Sequence, residues 1–509
     1  MELLNISAFK NFTASHLDKG TVYLLQNARV DSFYQYSKYF KDEGFENKEE
    51  RIKEDRNFAA YLLEDTGVFI NYFEGTHELY IVIEEDTKYF SYVDKKRNIS
   101  VVPQLTHVGL DLFGMSYVVR LSDGRFVVFD GGTVLSDAEY LLKVLKAGTK
   151  EEKPVIAAWF ITHPHADHYL GMKYFLENFM DQVIIESFMY NFPRIDDYEH
   201  FPFLGAFNSI NDSCVTADCT QLFELMRQTG ADIYTAHTGQ QYKISDVNFE
   251  ILVSVDDVMN TLATDNVNAT SLAVRFEIAG QTVLLMGDNR ASDSKIVKKY
   301  GKYLKCDIFQ VPHHGYKSGT HSAEMRLYDL ADPKICMLPN GEKFAYESFA
   351  PFRAGTAHLL TKLDFDEFIV GTPTRTLTLP YTPPRHSKDD FRRRLENGIN
   401  SNGSRVWIFS GLDTSDPEAL EFTFSSFIYW GAEVTVDILF EDPKACIQDI
   451  KVTVSGNSVK KLSITDDLLC DQEKEFPENA MFTVRIKSNN PIVVSNATKA
   501  ADYIAPNVF

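Results

Sequence analysis

Residues Ala157–Met172 read AAWFITHPHADHYLGM, and no other segment restricts the chain so closely. The uninterrupted apolar run from Val155 to Ile161 has the length of a buried strand. It delivers His163, His165, Asp167 and His168 within six residues. Imidazole and carboxylate are side chains that hold zinc or iron. Alternate residues of an extended segment leave on the same side, so His163 and His165 can clamp one ion. Asp167 and His168 then reach toward a second ion as the chain turns into a helix expected near Gly171. A polar loop with chance histidines does not account for four such groups in this order behind a strand.

Two downstream segments extend the pattern. QTVLLMGDNRASD ends an apolar strand in Gly287-Asp288, and a carboxylate there can bridge two cations about 3.5–4 Å apart. Taken alone, Asp288 would serve equally well as a helix N-cap. CDIFQVPHHGYKSG ends a further strand in His313-His314-Gly315, which again presents imidazole at a strand mouth.

This ordered set resembles the metallo-β-lactamase superfamily. Within it, the chain is most similar to the subgroup of the hydrolase domain of bacterial competence (DNA-uptake) proteins and the choline-phosphate esterases. The likeness runs from about Thr106 to Pro339. It comprises VVFDGG (Asp130, Gly131, Gly132), THPHADH, NATSLAVRF (Asn268, Ser271), LLMGD and VPHHG. The resemblance implies an α/β fold, a four-layer αββα sandwich with metals at the edge where the two sheets meet. It assigns His163 and His165 to a first metal, Asp167 and His168 to a second, and Asp288 to both. One histidine of His313/His314 would ligate the second metal and the other would sit beside the substrate. Pro312 leaves the strand end uncertain by a residue, so the choice between them stays open. Asp130 would orient a ligand from behind rather than bind metal. Many members carry a further histidine in a turn after the strand equivalent to NFEILVSV, and here that turn reads Val255-Asp256-Asp257. His237 lies one strand earlier and is read as a structural or rim residue, with ligation of the first metal as the alternative.

The chemistry so implied is metal-assisted hydrolysis with two divalent ions, zinc expected, manganese or iron as alternatives. A hydroxide held between the ions would be the nucleophile, its pKa lowered to near neutrality. Asp167 would orient it, and the histidine of His313/His314 that is not a ligand would serve the leaving oxygen. The expected function is hydrolysis of a phosphoester, a phosphodiester first, in a small substrate. Lactone or thioester hydrolysis on the same site is one alternative, and a non-catalytic binding protein with structural metals is the other. A flavodiiron oxygen reductase is disfavoured, because an acidic residue usually stands there at the place of His165.

Charge narrows the partners. Lys and Arg number 51 against 72 Asp and Glu, a net charge of −21 over 509 residues, so long nucleic acids are not expected as partners. No basic stretch followed by an apolar one opens the chain, and no window approaches 18 uncharged apolar residues, so neither a secretory signal nor a membrane contact is expected. Six scattered cysteines without a CxxC pair fit reduced thiols in a cytoplasm; only Cys214 and Cys219 are spaced to bridge. The oligomeric state is not legible.

Three domains are expected: 1–105, α+β; 106–385, carrying the motifs; and 404–509, a β-sandwich. The first alternates strand-like runs (TVYLLQ, GVFINYF, HELYIVIEE) with a helix-compatible stretch, Phe40 to Asp55. The boundary before the third is rich in Pro, Gly and charge, and beyond Ser404 only short strand patterns remain. The run Lys298 to Lys305 reads as one solvated helix face, and Met189 to Gly205 as a loop near the site. His200, His321 and His358 have no ligand spacing.

Overall fold

The computed structural model describes residues 11–17, 19–110, 114–193, 212–258, 267–289, 291–315, 321–341, 365–383, 404–426, 432–455, 458–469 and 476–505. Two compact units emerge: Met1–Gly341 with Pro351–Arg385, and Glu342–Ala350 with His386–Phe509.

The first unit opens with strands β1 (Thr13–Leu17), β2 (Gly20–Gln26), β3 (Glu46–Ile52), β4 (Arg56–Leu63), β5 (Thr66–Phe73) and β6 (Glu78–Glu84) and helix α1 (Val30–Asp42). They form one antiparallel sheet in the order β1-β2-β6-β5-β4-β3. β6 is buried at every position and β5 at all but its first, which is why both read as continuous apolar runs rather than alternating ones. One face packs on α1 through Phe33 and Phe40. The other reaches the rest of the unit, with Phe69 against Tyr89 and Phe73 against Tyr300. The helix expected over Phe40 to Asp55 stops at Asp42, and Glu46–Ile52 is instead the edge strand β3. Pairing with the apolar β4 overrides the local helix preference of its charged residues.

Two further sheets follow. Their strands are β7 (Gln104–His107), β8 (Tyr117–Arg120), β9 (Phe126–Phe129), β10 (Val155–Phe160), β11 (Ile184–Ile185), β12 (Ser187–Tyr190), β13 (Asp232–Thr235), β14 (Gln241–Ile244), β15 (Val247–Val253), β16 (Ala273–Ile278), β17 (Gln281–Leu285), β18 (Ile308–Gln310), β19 (Ile335–Gly341), β20 (Glu367–Thr372) and β21 (Arg375–Thr378). One sheet runs β13-β12-β10-β9-β8-β7-β21 with β11 beside β10, and the other β14-β15-β16-β17-β18-β19-β20. Each is parallel through one half (β9, β10, β12, β13; β17 to β20) and antiparallel through the other. Apolar side chains from both sheets meet between them, Phe129 and Phe160 against Phe249 and Phe276. Helices α2 (Leu135–Ala147), α3 (Ala166–Phe179) and α4 (Asp212–Gln228) cover the first sheet, and α7 (His321–Ala331) covers the second through Tyr328 on Phe309. Between them in sequence stand the short α5 (Ala291–Ser294) and α6 (Ile296–Tyr300). These are the four layers expected.

α6 corrects the reading of Lys298 to Lys305 as one solvated face. The helix ends at Tyr300, and Lys299 is buried against Asp257 and Tyr80.

The described strands of the second unit are β22 (Ser404–Asp413), β23 (Glu421–Ser426), β24 (Ala432–Phe440), β25 (Ile447–Val454), β26 (Ser458–Ser463), β27 (Met481–Asn496) and β28 (Tyr503–Ala505). The runs FTVRIKS and PIVVSNA, read from sequence as two strands, are one strand, β27. Its first part pairs with β22 and β24 and its last residues with β23. Phe409, Val436 and Ile486 lie in its core. The segment 384–403 lies outside the described residues. No described helix is long and apolar enough to cross a membrane. Cys219, Cys306 and Cys336 are buried free thiols, and the side chains of Cys214 and Cys470 lie outside the described set.

Candidate metal centre

The candidate ligands sit just past the carboxyl ends of parallel strands in both sheets, where open α/β sheets place ligands. Asp130 follows β9, Thr162 and His163 follow β10, Asp288 follows β17, and His313 and His314 follow β18. The α3 helix begins at Ala166, earlier than the expected start near Gly171, with His165 extended as its N-cap. Asp167 and His168 therefore stand in its first turn, where the helix dipole favours a carboxylate. The helix can come this close because residue 171 is glycine: a Cβ there would lie 2.0 Å from the Gly131 carbonyl oxygen. Gly287 has the same role beneath Asp288, with φ of +54° and a Cβ position 3.0 Å from Thr162.

Two groups of donors result: Asp167, His168, Asp288 and His314; and His163, His165 and Asp288. In the first, His168 Nε2 and His314 Nε2 are 3.2 Å apart. Asp288 Oδ1 is 3.3 Å from each of them. Asp167 Oδ2 is 3.2 Å from His314 Nε2 and 3.7 Å from His168 Nε2. A tetrahedral ion with ligands at about 2.0–2.2 Å has ligand–ligand edges of roughly 3.3–3.6 Å.

Proton positions agree. His168 Nδ1 donates to Asp130 Oδ2 at 2.7 Å, and His314 Nδ1 donates to the Pro339 carbonyl at 2.7 Å. Both Nε2 atoms thus face inward, and each is a lone pair whenever its ring is neutral. Asp288 Oδ1 is buried and accepts no hydrogen bond, although two imidazole nitrogens stand beside it. Four acceptors facing one another ask for a cation, so the donor set fits a divalent metal. Electrostatics point the same way. Burial works against charge on His168 and His314, yet Asp288 and Asp167, joined at His168 by Asp130, hold both above the ordinary histidine value, His314 at about 9, so the group draws positive charge and an entering metal ion takes the place of the Nε2 protons. Burial pushes His163 and His165 down, so they remain neutral donors.

Of the two strand-end histidines, His314 stands in the donor group. His313 and His314 both have φ of 50°, and the left-handed turn swings His314 into the donor group and leaves His313 beside it. His313 Nε2 lies 4.0 Å from Asp288 Oδ2 and accepts from Asn268 Nδ2 at 3.1 Å. Asp130 lies behind the ligands: it accepts from the Thr162 amide and hydroxyl, both at 2.7 Å, as well as from His168. His237 is elsewhere, between Asp256 (Nδ1 to Oδ2, 3.1 Å) and Glu84 (Nε2 to Oε2, 3.6 Å), with its ring stacked on Phe69. Thr162, Pro339 and the His237 partner Glu84 were not anticipated. Asn268 was noticed only as part of a motif. His200, His358 and the side chain of His321 lie outside the described residues, as does 194–205 of the loop after β12.

The family model for the metallo-beta-lactamase superfamily matches residues 109–332. No curated protein matches the sequence. Among solved structures, the chain is similar to the Anabaena sensory rhodopsin transducer at 22% identity, over 20% of this chain and 86% of that one, with a TM-score of 0.17. It is similar to a metallo hydrolase from the hyperthermophilic archaeon Ignicoccus hospitalis at 15% identity, over 55% and 100% of the two chains, TM-score 0.29. It is also similar to Zn(2+)-bound PqqB from Methylobacterium extorquens at 11% identity, over 51% and 77%, TM-score 0.29. The stretch that resembles the metallo-beta-lactamase superfamily, residues 109–332, carries every candidate ligand.

Proposed function

We propose that the chain is a binuclear metal-dependent hydrolase acting on a phosphoester, a phosphodiester first, in a small substrate. The observation that carries this reading is the convergence of four acceptor atoms from Asp167, His168, Asp288 and His314, with Asp288 shared by the His163–His165 group. Two divalent cations bound there, zinc expected, supply Lewis acidity and an acidified water.

The chain's own residues do the rest. Asp167, whose side chain is 21% exposed, is the open rim of the donor group and orients the attacking water. His313 is the substrate-facing imidazole. Burial lowers its pKa to about 4 despite the pull of Asp288, so it acts as a neutral hydrogen-bond donor. Its Nε2 accepts from Asn268, so the proton of the neutral ring stands on Nδ1, the atom that would donate to a substrate oxygen. The phosphoester preference rests on the likeness of the ordered motifs to the choline-phosphate esterase subgroup. A net charge of −21 favours a small substrate over a polyanion. Buried free thiols at Cys219, Cys306 and Cys336 fit a cytoplasmic location.

The test is a panel of a generic phosphodiester, a phosphomonoester, a lactone and a thioester, each with metal-replete and chelator-treated protein. Chelator-sensitive turnover of the phosphodiester is the expected result. Turnover of the lactone or thioester alone would move the substrate class, and no turnover with both ions bound would leave the metals structural.

A further inference from the structure

Among the described residues, the group His163, His165 and Asp288 has one donor fewer than the other group. No described residue of the turn after β15 makes up the difference. Asp256 is engaged by His237, and Asp257 by Lys299. The side chain that stands beside His163 is Asn268, on the short helical turn Val267–Thr270. Its Oδ1 lies 3.1 Å from His163 Nε2, its Nδ2 lies 3.1 Å from His313 Nε2, and it is within hydrogen-bonding reach of His165.

Thr162 fixes what His163 can offer. The Thr162 hydroxyl gives its one proton to Asp130 Oδ2 at 2.7 Å, so toward His163 Nδ1, 3.1 Å away, it can only accept. His163 thus carries its proton on Nδ1 and turns the Nε2 lone pair toward Asn268. An Nε2 lone pair and an amide oxygen at 3.1 Å repel unless a cation lies between them. The reversed amide would donate to His163 Nε2 and close that nitrogen to any metal.

We propose, building on the binuclear reading, that the amide oxygen of Asn268 is the fourth protein donor of the His163–His165–Asp288 group. This half of the centre then offers two nitrogens and two oxygens, one of them neutral. The amide is a poorer donor than the imidazole it stands in for, so this half fills after the other and is more tolerant of hard ions such as manganese. Through Nδ2, the same amide sets the tautomer of His313.

Metal-free full-length protein is titrated with Zn2+ against a chromophoric chelator, and with Co2+ followed by its visible absorption. Wild type is expected to fill in two steps. Asn268→Ala is expected to weaken the second step by roughly tenfold or more and leave the first unchanged. Asn268→Asp, with a charged oxygen in the same place, is expected to tighten the second step. Two variants whose second steps match wild type overturn the proposal. If Asn268→Ala yields no folded protein by circular dichroism, the aspartate variant decides alone, and an unchanged second step overturns the proposal. Wild-type protein that takes up a single ion at saturation overturns the binuclear reading, and this assignment with it, before any variant is made.

Discussion

Two buried clusters of histidine and carboxylate lie in the first unit, and their chemistry differs. In one, His168 and His314 meet Asp167 and Asp288; in the other, His237 meets Glu84 and Asp256. The first spends each Nδ1 proton on an acceptor outside the group, Asp130 or the Pro339 carbonyl, so its two inward Nε2 atoms become acceptors beside the carboxylates once their protons give way to a metal. The second has one imidazole with a carboxylate at each nitrogen. Burial lowers the His237 pKa, but Asp256 and Glu84 outweigh it and raise it to about 10. His237 is therefore an imidazolium between two carboxylates, and its charge is balanced without a metal. Counting available protons, rather than counting histidines, separates a metal cradle from an ion pair.

The sharpest way to break this distinction is Asp167→Ala. It removes a charged donor and the orientation of the nucleophile together. A loss of roughly a thousandfold or more in turnover is expected, since each 1.36 kcal/mol of barrier is about tenfold in rate. The circular dichroism spectrum should not change. Turnover within about tenfold of wild type would place the chemistry elsewhere.

Asp130→Asn probes the outer acceptor on which the count depends. The neutral amide holds the His168 proton less firmly, so metal affinity of the His168–His314 group should fall by roughly 10–100-fold. A competition titration reads this directly. Unchanged affinity would mean that the tautomer is fixed without Asp130.

The first cluster was largely legible in the sequence because THPHADH is contiguous and follows a strand, so backbone geometry alone brings its side chains together. The choice of His314 was not legible. Alternation along a strand cannot be extended through two residues at φ of 50°, a conformation that non-glycine residues rarely adopt. Lys299 was misread because its partner Asp257 comes from a distant turn, and a run of lysines looks solvated when only its neighbours are counted. β3 was missed for a similar reason: its charged residues favour a helix locally, and only pairing with β4 makes them a strand. The partnership of His237 with Glu84 joins the amino-terminal sheet to the motif-bearing region. No periodicity within either stretch encodes it.

His237→Gln tests the other side of the comparison and should have the smallest effect on turnover, below about tenfold, because His237 touches none of the candidate ligands. Its signature is in stability against pH. A histidine whose folded pKa is raised contributes stability that is fully present below its unfolded value, about 6.5, and is lost as pH rises through the folded value. For His237 that window runs from about 6.5 to about 10. The glutamine variant leaves Asp256 and Glu84 facing a neutral group at every pH, so the gap in denaturation midpoint between wild type and variant should be widest near pH 6. It should narrow steadily toward pH 10, where wild type too has lost its imidazolium. Breaking a buried ion pair by removing one partner costs roughly 3–5 kcal/mol, which sets the scale of the gap at its widest. A gap that stays constant across this range would mean that His237 is neutral in the folded protein. The second cluster would then be an ordinary hydrogen-bonded core, and the contrast between the two would rest on the metal site alone.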